Sequence, residues 1–224
     1  MDRLHRIRLL LGDAAVTRLQ NATVMVVGCG AVGSFAIEAL ARSGVGRLIL
    51  VDFDRVEESN INRQLFALTS TVGAPKVVVA AARVRDINPG IGVDARAMFW
   101  DADTDIDVRP DFVIDAIDTV ASKIALIKWC VRHDTAFVSS MGAARKTDIS
   151  RIRVSRISKT SVCPLAAKIR RMARDATLPD FPVVFSDEVA VAATPSAPMG
   201  SMITVTGAFG LHLANVAIGH IINS

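Results

Sequence analysis

Apolar side chains at Leu4, Ile7, Leu10, Leu11, Ala14, Ala15 and Leu19 recur at helical spacing, so the first twenty residues predict one amphipathic helix ahead of the main domain. Val24 to Val27 is a short apolar run suited to a buried strand, Ala31 to Ala41 returns to helical spacing, and Arg47 to Val51 gives a second strand. Pro75 fits the first position of a helix that runs to Ile87 and stops at Asn88-Pro89-Gly90. Alternation over Ile91 to Ala95 predicts a strand. Further strands are expected at Phe112 to Ile114 and Ala136 to Val138, with a helix from Val120 to Arg132 between them.

Strands that alternate with helices argue for an α/β fold, a Rossmann-like and mostly parallel sheet covered on both faces. Beyond Met141 the pattern changes. Ile152, Val154 and Ile157 suggest one more strand, Leu165 to Ala173 a basic helix, and Thr177 to Pro198, rich in proline, a loop with little regular structure. The 224 residues suit a single domain with appendages, a core of about 22–140 followed by a basic carboxyl-terminal part of about 141–224. The apolar segment Met202 to Ile222 approaches the roughly 20 residues needed to cross a bilayer, but it holds His212, Asn215 and His220 and reads better as a buried helix closing the sheet. Nothing at the amino terminus reads as a signal peptide, so a cytoplasmic protein is expected, with peripheral membrane association left open.

Composition adds two constraints. The three cysteines, Cys29, Cys130 and Cys163, form no C-x-x-C pair, so neither a structural zinc nor a disulfide framework is expected. Cys29 and Cys130 are expected to be packed, and Cys163, before Pro164 in a basic stretch, exposed. Charge is unevenly spread: ten of the 26 Lys and Arg lie between Arg145 and Arg174 with one acid, Asp148, leaving 16 bases against 21 acids elsewhere. Such a local surplus is the footprint of a phosphate backbone, or else a solvated basic face.

The chemistry concentrates in four segments. Gly28-Cys29-Gly30-Ala31-Val32-Gly33 matches G-x-G-x-x-G between a strand and a helix, where glycines let the backbone approach a phosphate that the helix amino terminus attracts. Asp52, ending the second strand, is placed to accept hydrogen bonds from a ribose. NAD and ATP both fit to this point. The segment Asp52 to Gln64 then packs carboxylates, Asn60 and Arg63 together. That cluster exceeds the needs of a dinucleotide and suits a triphosphate, because Arg63 can fork onto phosphate oxygens while Asn60 orients them. Lys76, opening a helix, can set a point charge on a phosphate. Asp118, in Asp115-Ala116-Ile117-Asp118-Thr119 after an apolar strand, is suited to hold Mg²⁺ against phosphates. Asp115, nearer the strand, is expected to cap the following helix.

The order G-x-G-x-x-G, D-x-D-x-V-x-x-S-N-x-x-R-Q, G-x-P-K and D-x-x-D resembles the ubiquitin-activating-enzyme-like adenylyltransferases over roughly residues 1–140. The resemblance implies ATP and Mg²⁺ as cofactors. It implies a nucleotide site of Gly28, Gly30, Ala31, Gly33, Asp52, Asp54, Ser59, Asn60, Arg63, Gln64, Lys76, Asp118 and Thr119, with Arg6, Arg63, Lys76 and Asp118 in catalysis and Asp118 on the metal. The family's leading R-x-x-R matches Arg3 and Arg6 and implies a homodimer in which this arginine reaches the partner's site. Paired zinc motifs typical of the sulfur-carrier activators are missing. Pro164 to Lys168, Val184 to Ser186 and the apolar carboxyl-terminal helix are similar to the branch that dehydrates threonylcarbamoyladenosine in tRNA, with Arg145 to Arg174 as the implied tRNA surface. In two places the chain departs from the pattern: Ala31 stands where a third glycine is usual, and the connection from Asp175 to Pro182 is short. Rival readings are an activator of a sulfur-carrier protein, a nucleotide-binding module without turnover and an NAD oxidoreductase; a sulfur-transfer protein is a further partner left open.

Overall fold

The computed structural model describes residues 2–192 and 199–224. Its centre is a seven-stranded sheet formed by β1 (Thr23–Val27), β2 (Arg47–Val51), β3 (Gly92–Arg96), β4 (Phe112–Asp115), β5 (Phe137–Ser140), β6 (Ile152–Arg156) and β7 (Pro182–Ser186), in the order β3-β2-β1-β4-β5-β7-β6. All pairs are parallel except β6 with β7. Strand order from β1 leads outward one way to β2 and the other way to β4, so a crevice opens at their carboxyl ends. The register aligns Val27 with Val51 on one side and with Asp115 on the other.

Alternate residues of the buried strands feed two cores. Val24, Val26, Leu48, Leu50 and Ile114 pack under α3 (Gly33–Ser43), α4 (Lys76–Ile87) and α7 (Ile203–Asn223). Met25, Val27, Ile49, Val51 and Val113 pack under α5 (Val120–Arg132) and α6 (Pro164–Asp175). Burial on both faces is why these strands are continuous apolar runs rather than alternating ones.

Several expectations are corrected. The amino-terminal helix is two helices, α1 (His5–Leu11) and α2 (Asp13–Asn21), because Gly12 takes φ 81° and breaks the run; Leu10 consequently faces solvent. Pro75 caps α4 rather than opening it. The stretch expected as a loop after Thr177 contains β7, which lies between β5 and β6, and extends the sheet beyond its Rossmann half; residues 193–198 of that stretch lie outside the described residues. Pro182 at the first position of β7 is compatible with pairing there. Helix α7 is long and apolar enough to span a bilayer by composition, but half of it is buried, chiefly against α3, while Ile203 and Leu211 remain exposed. It is therefore covered on one side only. Cys163 is buried, like Cys29 and Cys130.

Candidate functional site

At the crevice between β1, β2 and β4 lies a cavity of ≈ 200 Å³. Its floor is the turn after β1. Gly28, with φ 96°, donates its N–H to the Val51 carbonyl at 2.8 Å, and a Cβ there would stand 2.6 Å from the Ala116 carbonyl oxygen. At Gly33 a Cβ would come within 1.7 Å of the Gly28 carbonyl oxygen. These two glycines bring the chain against the β4 turn and fold it into α3. Gly30, by contrast, faces the cavity, together with Ala31 and Val32 at the amino terminus of α3, where backbone N–H groups favour anions.

Asp52 reaches under this turn. Its Oδ2 accepts the Cys29 N–H at 2.6 Å and its Oδ1 the Asp54 N–H at 2.8 Å, locking the end of β2 to the glycine loop. Burial raises the Asp52 carboxyl above the usual aspartate range, although the N–H groups of Asp54 and Cys29 oppose the shift. Desolvation likewise pushes the Cys29 thiol well above its ordinary value, which keeps it protonated. A short antiparallel contact between Arg55 and Pro75 then brings the acidic segment to the start of α4. There Lys76 Nζ pairs with Asp54 Oδ2 at 2.7 Å, the lysine largely buried and the carboxylate half exposed.

Arg63 also lines the cavity, with its Nη1 bonded to the Ser59 carbonyl (2.8 Å) and to Asn62 Oδ1 (2.9 Å), and the buried Gln64 lines it too. Asp118 and Thr119 form the remaining side, exposed in the turn from β4 to α5. The cavity thus gathers Gly28, Gly30, Ala31, Asp52, Asp54, Arg63, Gln64, Lys76, Asp118 and Thr119.

Three residues expected at the nucleotide, Gly33, Ser59 and Asn60, stand elsewhere, and Arg6 was expected at a partner's site. Gly33 is used for packing, as described. Asn60 is buried in a one-turn helix, Glu58–Asn60, where its Oδ1 accepts the Glu57 N–H (3.2 Å) and its amide approaches Ser59 Oγ (3.4 Å). Its amide is occupied in shaping the segment that carries Arg63 and does not face the cavity, and Ser59 is likewise outside the wall. Arg6 is exposed on α1, outside its own chain's cavity; neighbouring Arg3 donates to the Ile87 carbonyl at 2.6 Å. Asp115, expected as a helix cap, does not cap α5. It is sealed under the turn against Lys123 of α5 (2.7 Å) and the Ser139 hydroxyl of β5, with its Oδ1 accepting the Ile117 N–H at 3.1 Å.

The cavity also has an aromatic wall that the sequence does not predict. Phe53 and Phe99 meet edge to face, with centroids 4.9 Å apart, and line the cavity with Met98 and Trp100. Both phenylalanines are substantially exposed, a costly placement for a monomer that a flat apolar ligand would relieve. The signal was present in Met98-Phe99-Trp100, an apolar run after the β3 strand, beyond the point where burial by the sheet would call for it.

The basic stretch is not one patch. Lys146 is buried against the carbonyls of Ser186 and Glu188, Arg145 bonds the Val191 carbonyl, Arg151 and Arg153 pair with Asp187, Arg156 bonds the Asp180 carbonyl and Arg170 holds Thr160. Lys159, Lys168, Arg171 and Arg174 are exposed and, among the described residues, without an intramolecular partner. Among the described residues, four of the ten cations therefore have side chains without an intramolecular partner. No group of three His, Cys, Asp or Glu side chains comes together among the described residues as a metal cage.

Known proteins resemble this chain in sequence and in fold. The model of the ThiF family matches residues 2–223. The tRNA threonylcarbamoyladenosine dehydratase of Bacillus subtilis is 47% identical over 192 residues, 84% of this chain and 76% of that protein. A crystal structure of the Escherichia coli tRNA N6-threonylcarbamoyladenosine dehydratase in complex with ATP superposes with a TM-score of 0.93 at 36% identity, covering 99% of this chain and 94% of the other. The sulfur carrier protein adenylyltransferase of Thermus thermophilus is 38% identical over a shorter span of 127 residues, 55% of this chain and 47% of that protein.

Proposed function

We propose that this chain, which belongs to the ThiF family, uses ATP to adenylate the carboxylate of threonylcarbamoyladenosine in tRNA and lets the activated acyl group cyclise. The observation that carries this reading is the convergence of Arg63, Lys76 and Asp118 with the glycine loop in one cavity. A dinucleotide pyrophosphate needs the loop alone; a triphosphate undergoing attack needs cations beside it as well.

In the reaction a carboxylate oxygen attacks the α-phosphorus, the bond to the β-phosphate oxygen breaks, and pyrophosphate leaves. The acyl adenylate then loses AMP as a nucleophile of the same side chain closes on the activated carbonyl. ATP thereby takes up the elements of water. Lys76 and Arg63 neutralise charge building on the phosphates, Asp52 holds the ribose, and the N–H groups at the start of α3 receive phosphate oxygens. Phe53 and Phe99 flank the base. No covalent nucleophile is required, which agrees with the burial of all three cysteines.

The donor set suits Mg²⁺, which is commonly held by one or two carboxylates together with substrate phosphates. Asp118, exposed on the cavity wall, is the carboxylate that would hold it, and the ion when bound would neutralise charge on the phosphates. A homodimer is part of the reading: Arg6, on α1 and away from its own cavity, is available to a partner's site. The decisive test is mass spectrometry of tRNA nucleosides from a strain lacking the gene. Loss of the cyclic nucleoside with retention of the open form is expected; an unchanged profile would transfer support to activation of a sulfur-carrier protein.

A further inference from the structure

We infer that the groove at the carboxyl-terminal end of α6 is an anchor for phosphates of the RNA stem, separate from the cavity where the modified nucleoside is adenylated. The inference rests on the tRNA reading above and deepens it. The groove, of ≈ 500 Å³, has a floor that includes Ile157, Ala173 and Leu178, and is bounded by Arg171 and Arg174. Asp180 is also on its wall, its Oδ1 accepting the Ser158 N–H at 3.0 Å and its Oδ2 the Ser158 hydroxyl at 2.8 Å; this one carboxylate keeps its charge and is outnumbered there by Arg170, Arg171 and Arg174. Arg170 is tied to Thr160 and braces the wall. Lys159 and Lys168, adjacent in sequence to groove residues, add two more cations that are unpaired among the described residues.

The ordinary explanation of basic residues at the end of a helix is that they offset the negative end of its dipole, an effect confined to the last turn. Arg174 is in that turn. Lys168 and Arg171 lie earlier on α6, and Lys159 belongs to the short Ile157–Lys159 helix, so the dipole does not account for them. They are also not required for packing, since the buried stripe of α6 is Ala166, Ile169 and Ala173.

Position selects the ligand. Helix α6 begins beside Gly142, just past the carboxyl end of β5, and so starts at the sheet edge that holds the adenylation cavity. Arg171 and Arg174 lie about 10–15 Å farther along the axis, at 1.5 Å per residue, towards the opposite edge where β7 begins. A ligand confined to the cavity does not reach them. An RNA whose loop enters the cavity and whose stem continues across the molecule presents regularly spaced phosphates to such a site.

The experiment is an anisotropy titration of two oligonucleotides across a salt series, the anticodon stem-loop and a stem-less oligonucleotide of the same loop sequence. It compares wild type, Arg171→Glu/Arg174→Glu and the milder Arg171→Gln/Arg174→Gln. Stem-loop affinity is expected to fall about tenfold or more in the Glu pair and less in the Gln pair. The slope of log affinity against log salt should flatten by about 2, because two phosphates are no longer neutralised. The stem-less oligonucleotide and ATP should bind all three proteins alike. Unchanged stem-loop affinity and slope in both variants, with tight wild-type binding, would overturn the anchor and leave the tRNA reading standing. Equal weakening of both oligonucleotides would also overturn it, because the groove would then hold the loop. Failure of the wild type to bind the stem-loop would remove the anchor and the tRNA reading together.

Discussion

Lys123 Nζ lies 2.7 Å from Asp115 Oδ2 with both side chains sealed from solvent, beneath the turn that carries Asp118 into the cavity. The Ser139 hydroxyl completes the arrangement, so the pair bridges β4, β5 and α5. Isolating one charge in such a place is far costlier than removing both. Lys123→Met is expected to lower stability by about 3–5 kcal/mol, and Asp115→Asn/Lys123→Met to recover most of that loss. Urea unfolding of the single and double variants measures both. A single variant as stable as wild type would show that the pair contributes nothing.

That pair also marks the limit of what the sequence disclosed. Strands such as β2 and the α5 helix were legible because both are continuous patterns closed by clear stop signals. The glycine loop, Asp52, Lys76 and Asp118 were legible because their chemistry is local. In one dimension Asp115 resembles a cap, because a carboxylate at a strand end precedes a helix; its partner is on the helix's buried face, where a lysine looks like any surface cation. Asn60 was misplaced for a similar reason: an amide in an acidic cluster resembles a ligand donor until the one-turn helix uses it. Strand β7 is hard to see in one dimension because Val183, Val184 and Phe185 make a short run directly after Pro182, and its pairing with β5 and β6 is entirely long-range. Ion pairs such as that of Arg151 with Asp187, which remove cations from the basic surface, are long-range in the same sense.

Asp118 is exposed and makes one long contact, with Thr119 Oγ1 at 3.4 Å, so Asp118→Asn should leave the fold intact. Loss of the charge that supports the metal is expected to lower AMP formation at least about tenfold. Pyrophosphate and AMP release with unmodified and variant protein, alongside circular dichroism, decides the matter. Full activity in a folded variant would assign Asp118 a structural role.

If Phe53 and Phe99 flank the base, truncating either weakens ATP binding without touching the reacting phosphates. Phe53→Ala or Phe99→Ala should weaken ATP binding by about 1–3 kcal/mol, the usual value of an aromatic surface against a base, and show as KM rather than kcat. Since both rings are already exposed, stability should barely change. A selective fall in kcat would place the rings near the chemistry instead.

The raised pKa of Asp52 has a defined sign. Burial makes the folded carboxyl hold its proton to higher pH than the unfolded chain does, whose value is about 3.9. This group's contribution to stability is therefore fully present below the unfolded value and is lost as pH rises through the folded one. ATP binding runs the other way, because the ionised carboxylate is the stronger acceptor for the ribose hydroxyls. Acidification should weaken ATP binding at a pH above that of an ordinary aspartate, seen by calorimetry across a pH series with the Asp52 carboxyl followed by carbon NMR. A midpoint at the ordinary aspartate value would contradict the burial argument.

The glycine loop separates a residue that builds the cavity from one that faces it. A Cβ at Gly33 would stand 1.7 Å from the Gly28 carbonyl oxygen and 3.3 Å from Ala116 Cβ. The obstructing backbone has little room to yield, since Gly28 is itself bonded to Val51 and pressed against the Ala116 carbonyl. Gly33→Ala must therefore push the start of α3 away from the sheet, at about 1–3 kcal/mol for an overpacked core, and the N–H groups that receive phosphate move with it. Gly30 differs: a Cβ there would meet Gln64 Nε2 at 3.7 Å, an ordinary contact, while projecting into the cavity. Gly30→Ala should keep wild-type stability and lose ATP affinity by crowding the ligand. Thermal unfolding with and without ATP distinguishes them: Gly33→Ala should lower the melting temperature of the free protein, whereas Gly30→Ala should abolish only the increment that ATP adds. A free-protein melting temperature for Gly33→Ala equal to that of wild type would show that the turn can relax, and the assignment of Gly33 to packing would fall.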